Sequence, residues 1–185
     1  MPDHYTAGYM PTKYQLNLGH KRIAYAGAPK EFISIRLQAL GYRDAMREAG
    51  LGESEQIVLD LDIFDYAGML VGQKTTEMIL SMSKRPTAII FGGEMAAAEA
   101  QIIFQNAGLD VPGDISIIAS GSTAMPVCKS VSPSLTNVCC VDDELLGRRA
   151  LRRLLEIIKD GNSGSHKEVL PVKLVEGGST SSPRD

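Results

Sequence analysis

Cysteine is scarce in this 185-residue chain, and the 3 that occur form no pattern. Cys128, Cys139 and Cys140 have no CxxC spacing and are odd in number, which argues against a zinc knuckle and against a disulfide framework. They read as small buried hydrophobes near strand ends. A basic excess is missing too: 19 Lys and Arg against 22 Asp and Glu give a formal charge of −3, and the cations are scattered among acids. This chain alone is therefore a poor candidate for gripping a nucleic-acid backbone. No apolar run is long enough to span a bilayer, and the opening MPDHYTAGYMPTKY lacks the regions of a signal peptide, so the reading is a cytoplasmic protein with no membrane partner. Phosphate loops are absent, since neither GxxxxGK[ST] nor GxGxxG occurs and Gly92-Gly93 is too short for either. Ser120-Gly121-Ser122 does not meet the GxSxG elbow, and His4, His20 and His166 lie in different textures without an obvious carboxylate partner. Asp60 with Asp62, and Asp142 with Asp143, are explained as strand-end and helix-start residues. No catalytic residue, metal site or cofactor is expected.

What the chain does have is a repeating texture. With 44% hydrophobic and 22% charged residues it has the profile of about one globular domain. Short β-branched runs alternate with longer stretches at helical spacing, which is how an α/β protein reads. KRIAYAG predicts a strand over 21–27, and ISIRLQALGYRDAMREAG a helix over 33–50. SEQIVLDLD is a second strand and 66–83 a second helix. PTAIIFGG is a third strand over 86–93, followed by a helix that ends at Gly108. VPGDISIIAS supplies a turn and a fourth strand that is apolar on both faces, as a strand covered on both sides must be. A short strand over 135–140, a helix over 142–160 with a leucine stripe, a last strand in EVLPVKLV and a frayed tail in GGSTSSPRD complete the reading. Pro11 inside the opening helix predicts a kink or a late start.

The blocks LGHKRIAYAG, RLQALGYRDAMREAGL, RPTAIIFGGEMA, AGLDVPGDISII, SPSLTNV, LGRRALRRLL and LPVKLVEGGST occur in an order and spacing that resembles the lactose-repressor (LacI/GalR) family. The resemblance runs from about Asp3 to Thr180. It implies a periplasmic-binding-protein-like type I fold, a parallel sheet flanked by helices, and mainly its second subdomain. It also implies a transcription regulator that binds a small-molecule effector in an inter-subdomain cleft, acts as a homodimer and reaches DNA only through an N-terminal domain absent here. By the same analogy 1–134 form the second effector-binding subdomain, 135–160 cross to the absent first subdomain, 161–176 return and 177–185 are a flexible tail. Deprived of its partner sheet, the helix over 142–160 is expected to repack on its own subdomain or against another copy.

The resemblance also implies effector-binding positions, and most of them depart from the sugar-responsive pattern. Gly92 and Gly93 stand where an Asn-Asp pair is usual. Ser120, Gly121 and Ser122 stand where an aromatic residue and two aspartates are usual. Ile63, with Phe64 beside it, takes the place of an aromatic platform, and Cys140 that of a polar residue. Arg36 alone stands where the family places its effector-binding arginine. Either the pocket is re-cut for a larger or less hydroxylated ligand, with the glycines admitting close backbone approach and Arg36 gripping an anion, or the pocket is degenerate. A sugar-like or anionic effector is expected, but not a simple hexose. A solute-binding protein of a transporter, and an α/β enzyme using Ser120, Ser122 or a cysteine, are the alternatives.

Overall fold

All four residues of strand β1 (Ile23–Ala26) are buried, which requires apolar cover on both faces of the sheet. The computed structural model describes residues 1–27, 31–59, 61, 70–122, 126–141, 143–160 and 168–184. Within them β1 is joined by β2 (Ile57–Leu59), β3 (Ala88–Phe91), β4 (Ser116–Ser122), β5 (Thr136–Val141) and β6 (Lys173–Val175). They form one sheet in the order β2-β1-β3-β4-β5-β6. β1 to β5 are parallel, and β6 closes the edge antiparallel to β5. The helices are α1 (His4–Asn17), α2 (Ile33–Glu48), α3 (Val71–Leu80), α4 (Glu94–Asn106), the short α5 (Val127–Ser130) and α6 (Asp143–Asp160). The helix-flanked parallel sheet expected from the sequence is the one that forms.

Alternation along each strand divides the apolar residues between two cores. Ala24, Ala26, Ile89, Phe91, Ile117 and Ala119 face α3 and α4, meeting Ile79, Ala97 and Phe104. Ile23, Tyr25, Ala88, Ile90, Ile118 and Val138 face α1 and α2, meeting Ala7, Tyr42 and Met46. After β1 the chain runs outward to β2, and after β2 it crosses back to β3 on the other side of β1. The strand order thus reverses between β1 and β3, and in such sheets the crevice for ligands opens beyond the carboxyl ends of the strands at that reversal.

Three expectations need correction. Pro11 neither delays nor interrupts α1, which begins at His4 under an Asp3 cap, with Thr6 N donating to Asp3 Oδ1 at 3.0 Å, and runs on to Asn17. The packing against α2 outweighs the lost hydrogen bond: the helices touch backbone to backbone, so that a Cβ on Gly8 would overlap the Gln38 carbonyl and one on Gly41 the Tyr5 carbonyl. The tail is not frayed. Ser179 is fully buried, residues 177–181 are hydrogen-bonded to the sheet and the loop before β5, and Arg184 pairs with Asp110 and Asp114. Finally, of the two packings expected of α6, the one against its own subdomain does not form. Leu146 touches the core, whereas Leu151, Leu154, Leu155 and Ile158 stay exposed, Ile158 by 70%. Its charged face is satisfied locally by Arg148–Glu144 and Arg153–Glu156 pairs and by Arg149–Glu168.

Candidate functional site

The crevice beyond β1 and β3 is built from glycines. Gly92 N donates to Ala26 O at 2.8 Å, which continues the ladder by one residue, and the two chains then part at Gly27 and Gly92. A Cβ on Gly27 would lie 2.7 Å from Ile35 Cγ2 and 2.8 Å from Tyr25 Cε1, and one on Gly92 would lie 3.2 Å from both Ile35 Cδ1 and the Tyr25 hydroxyl. These glycines therefore make room for the protein's own floor. Tyr25 comes up from β1, its hydroxyl donating to Gln38 Oε1 at 3.2 Å, and Ile35 comes from the first turn of α2.

Gly93 differs from its neighbour. It is the N-cap of α4, its backbone is extended (φ −157°), no side chain caps the helix there, and a Cβ would meet nothing within 4 Å. The open space that sequence reasoning assigned to both glycines belongs to this one. Next in sequence is Glu94, whose carboxylate lies over Gly121 so closely that a Cβ on Gly121 would overlap its oxygens. Gly121 pairs with Cys139 across β4 and β5, and Cys128 of α5 lies on the same side of the sheet. Burial first and the Glu94 charge second raise the thiol pKa values, that of Cys128 to about 11. Both cysteines are buried and protonated, which is the opposite of an activated nucleophile.

Of the positions singled out by sequence, Gly92, Gly93 and Gly121 meet at this carboxyl edge. Arg36 is exposed on the first turns of α2, which leaves the same edge. Ile63 and Phe64 lie outside the described residues, as does the side chain of Cys140, whose backbone is in β5. Ser120 is buried within β4. Sequence reasoning missed Glu94, Tyr25 and Ile35. An acid in the first turn of a helix is ordinarily explained by the helix dipole, and only the Gly-Gly-Glu run at a strand end hinted at more. Among the described residues no group of three or more His, Cys, Asp or Glu side chains could hold a metal ion.

An anionic carboxylate at the carboxyl ends of β3 and β4 accepts hydrogen bonds and donates none. The edge therefore offers a polar acceptor beside an open wall at Gly93 and above an apolar floor, the composition of a small-molecule cleft.

Comparison with known proteins agrees with this architecture. The family profile for a periplasmic binding protein-like domain matches residues 12–180. The ribose operon repressor of Haemophilus influenzae is 31% identical over 165 residues, covering 88% of this chain and 47% of the repressor. The HTH-type transcriptional repressor PurR of Vibrio campbellii is 34% identical over 153 residues, covering 83% of this chain and 44% of that one. The chain thus spans about half the length of the curated relatives it matches. A solved LacI family transcriptional regulator from Bifidobacterium animalis subsp. lactis superposes with a TM-score of 0.85 at 26% identity over 100% of this chain and 64% of that one. A regulator from Enterococcus faecium, solved with bound ribose, shares the fold at a TM-score of 0.84, covering 97% of this chain and 64% of that one at 22% identity. The chain belongs to the periplasmic binding protein-like domain family, in its LacI-type branch of transcriptional regulator cores.

Proposed function

We propose that this chain is the effector-sensing part of a cytoplasmic LacI-type transcription regulator, not an enzyme. A small molecule seats against the carboxyl edge of β1, β3 and β4, and lobe closure on it changes how a dimer presents DNA-binding heads carried elsewhere in the protein. The observation that carries the reading is the Gly93–Glu94–Gly121 corner at the strand-order reversal, an open wall beside a fixed carboxylate. That carboxylate favours a neutral polyhydroxylated or amine-bearing effector over a phosphorylated or carboxylate-bearing one, with Glu94 accepting its hydroxyl or ammonium hydrogens. Arg36, exposed near the rim, is left as a second contact at the mouth. The ribose operon repressor among the relatives, and the Enterococcus faecium regulator solved with bound ribose, fit this class of ligand.

The lobe division follows from the same reading. Residues up to 141 form one lobe, since β5 lies in its sheet between β4 and β6, so the boundary falls later than the 134 expected from the resemblance; α6 leaves that lobe for another, and β6 with 177–184 lies back against the first. The exposed stripe Leu151, Leu154, Leu155 and Ile158 on α6 supports a crossing element whose apolar face is covered by the other lobe of the full regulator.

Calorimetric titration of the whole regulator with ribose, a purine nucleoside, an amino sugar and a sugar phosphate tests the assignment. A neutral or amine-bearing compound should bind, and Glu94→Gln should weaken it by about tenfold or more, the cost of one charge-assisted hydrogen bond. Preference for the sugar phosphate, with affinity unchanged in Glu94→Gln, would overturn the assignment.

A further inference from the structure

The segment after β6 is held as a strap across the amino ends of the central strands. Gly178 N donates to Ser134 O at 2.8 Å, Ile117 N to Ser179 O at 2.8 Å, Ser179 Oγ to Ile117 O at 2.6 Å and Thr136 N to Ser179 Oγ at 2.8 Å. Further along, Ser181 N donates to Ser116 Oγ at 3.1 Å, and Arg184 reaches both Asp110 and Asp114. His20, 1% exposed, sits where this strap passes the starts of β1 and β3. Its Nε2 is 2.8 Å from the Ser181 carbonyl oxygen and its Nδ1 2.8 Å from Thr87 Oγ1.

The partners define the tautomer. A carbonyl only accepts, so Nε2 carries the proton, and the Thr87 hydroxyl donates to Nδ1 of the neutral ring. A second proton reverses the Thr87 contact. The hydroxyl must then accept from Nδ1, and the Arg22 carbonyl, 3.4 Å away, is the acceptor left for its own hydrogen. The charge would also be buried beside neutral groups. The charged residues on the surrounding segments are Lys21 and Arg22 before β1, Lys84 and Arg85 before β3, Asp110 and Asp114 before β4, and Arg184 on the strap. The two carboxylates in that set are engaged by Arg184. Neither hydrogen-bond partner of the ring, Thr87 Oγ1 or the Ser181 carbonyl, is an acid that would offset a second charge.

We propose that His20 is a proton-operated pin for the C-terminal strap: neutral, it locks residues 177–184 across the starts of β4 and β5, and protonated, it releases them together with the end of the edge strand β6. Burial, which outweighs the opposing pull of the Ser181 carbonyl, lowers the ring's pKa from its ordinary value. The locked state is therefore complete above about pH 6.5 and weakens as the pH falls below it. Release would free the segment that follows β6 from the amino ends of the strands, a conformational device independent of the effector assignment.

Amide hydrogen exchange on the full 185-residue chain, corrected for intrinsic rates, tests this at about pH 7.5 and about pH 5. Protection of the Ile117 and Ser181 amides should drop by up to roughly tenfold for each unit of pH between about 6.5, the value of the released ring, and the lowered pKa of the locked ring, and level off below that, while Tyr25 in β1 holds. His20→Gln, which keeps a donor toward the Ser181 carbonyl and cannot titrate, should abolish the drop. Unchanged strap protection in the parent chain, or an equal drop in His20→Gln, overturns the proposal. Should that variant not fold, the parent chain still decides by NMR titration. Strap amides must move with the His20 ring, and movement with an acidic group instead overturns it.

Discussion

At the residue scale, Gly121 and Gly93 make opposite demands although both are glycines at strand ends. A Cβ at Gly121 overlaps only the far end of the flexible Glu94 side chain, so Gly121→Ala is expected to cost less than about 1 kcal/mol in stability and to displace Glu94 from the cleft. Urea unfolding measures the first effect, and loss of effector affinity without loss of fold measures the second. Gly93 faces open space in an extended conformation, and Gly93→Asn, which supplies the missing cap of α4, is expected to stabilise the chain by a few tenths of a kcal/mol to about 1. Glu94 also acts on the thiols. Because burial is the larger cause and the Glu94 charge the second, Glu94→Gln should lower the Cys128 pKa from about 11 without returning it to that of a free thiol. Spectroscopic titration of the thiolate reads this directly, and an unmoved midpoint would separate Glu94 from the cysteines. The sequence made the glycines visible as departures from a pattern. It could not say which one was filled by Tyr25 and Ile35 and which was open, because that depends on where α2 lands against β1 and β3.

At the scale of elements, alternation of apolar runs made the strands and the order of helices legible, while their ends were set by packing. The first strand, expected over 21–27, contracts to Ile23–Ala26, because the ladder ends where β1 and β3 part at the glycines. The last, expected over 168–175, is only Lys173–Val175, since β6 has β5 alone as a partner. The contact between α1 and α2 was not legible at all. Nothing in the local pattern marks Gly8 and Gly41 as the points where two backbones touch. Gly8→Ala or Gly41→Ala should each destabilise the chain by about 1–3 kcal/mol, whereas Gly50→Ala, with nothing nearby but a positive φ of 76°, should cost about 1 kcal/mol through the backbone alone. Thermal unfolding of the three variants would rank them. For α6 the expected result depends on context. Leu155→Glu should leave the stability of this chain within about 0.5 kcal/mol, because the side chain is exposed, and should impair the whole regulator if the other lobe covers that stripe.

At the scale of the molecule, acid should act in two separate windows. His20 has a lowered pKa, so the unfolded chain binds its proton first and stability falls as the pH drops below about 6.5. Asp114 is also lowered, chiefly by the Asp110 amide and then by Arg184, but as an acid it loses its contribution only as the pH falls below about 3.8. Denaturation followed against pH should therefore show an upper step that His20→Gln reduces, the remainder belonging to His4, whose pKa burial also lowers, and a lower step that it leaves in place. By itself, the sequence determined the fold class and the order of the elements, because apolar period and strand-helix alternation are local properties that survive without knowledge of contacts, and it pointed to the family through the blocks that resemble it. Only the tertiary structure decided that Glu94 stands in the cleft, that Gly92 belongs to the floor, that α1 continues through Pro11 and that the polar tail is a strap. Each of these depends on residues far apart in the chain, such as Gly121 with Glu94 and Ser181 with His20, whose meeting is set by the strand order and by no nearby residue.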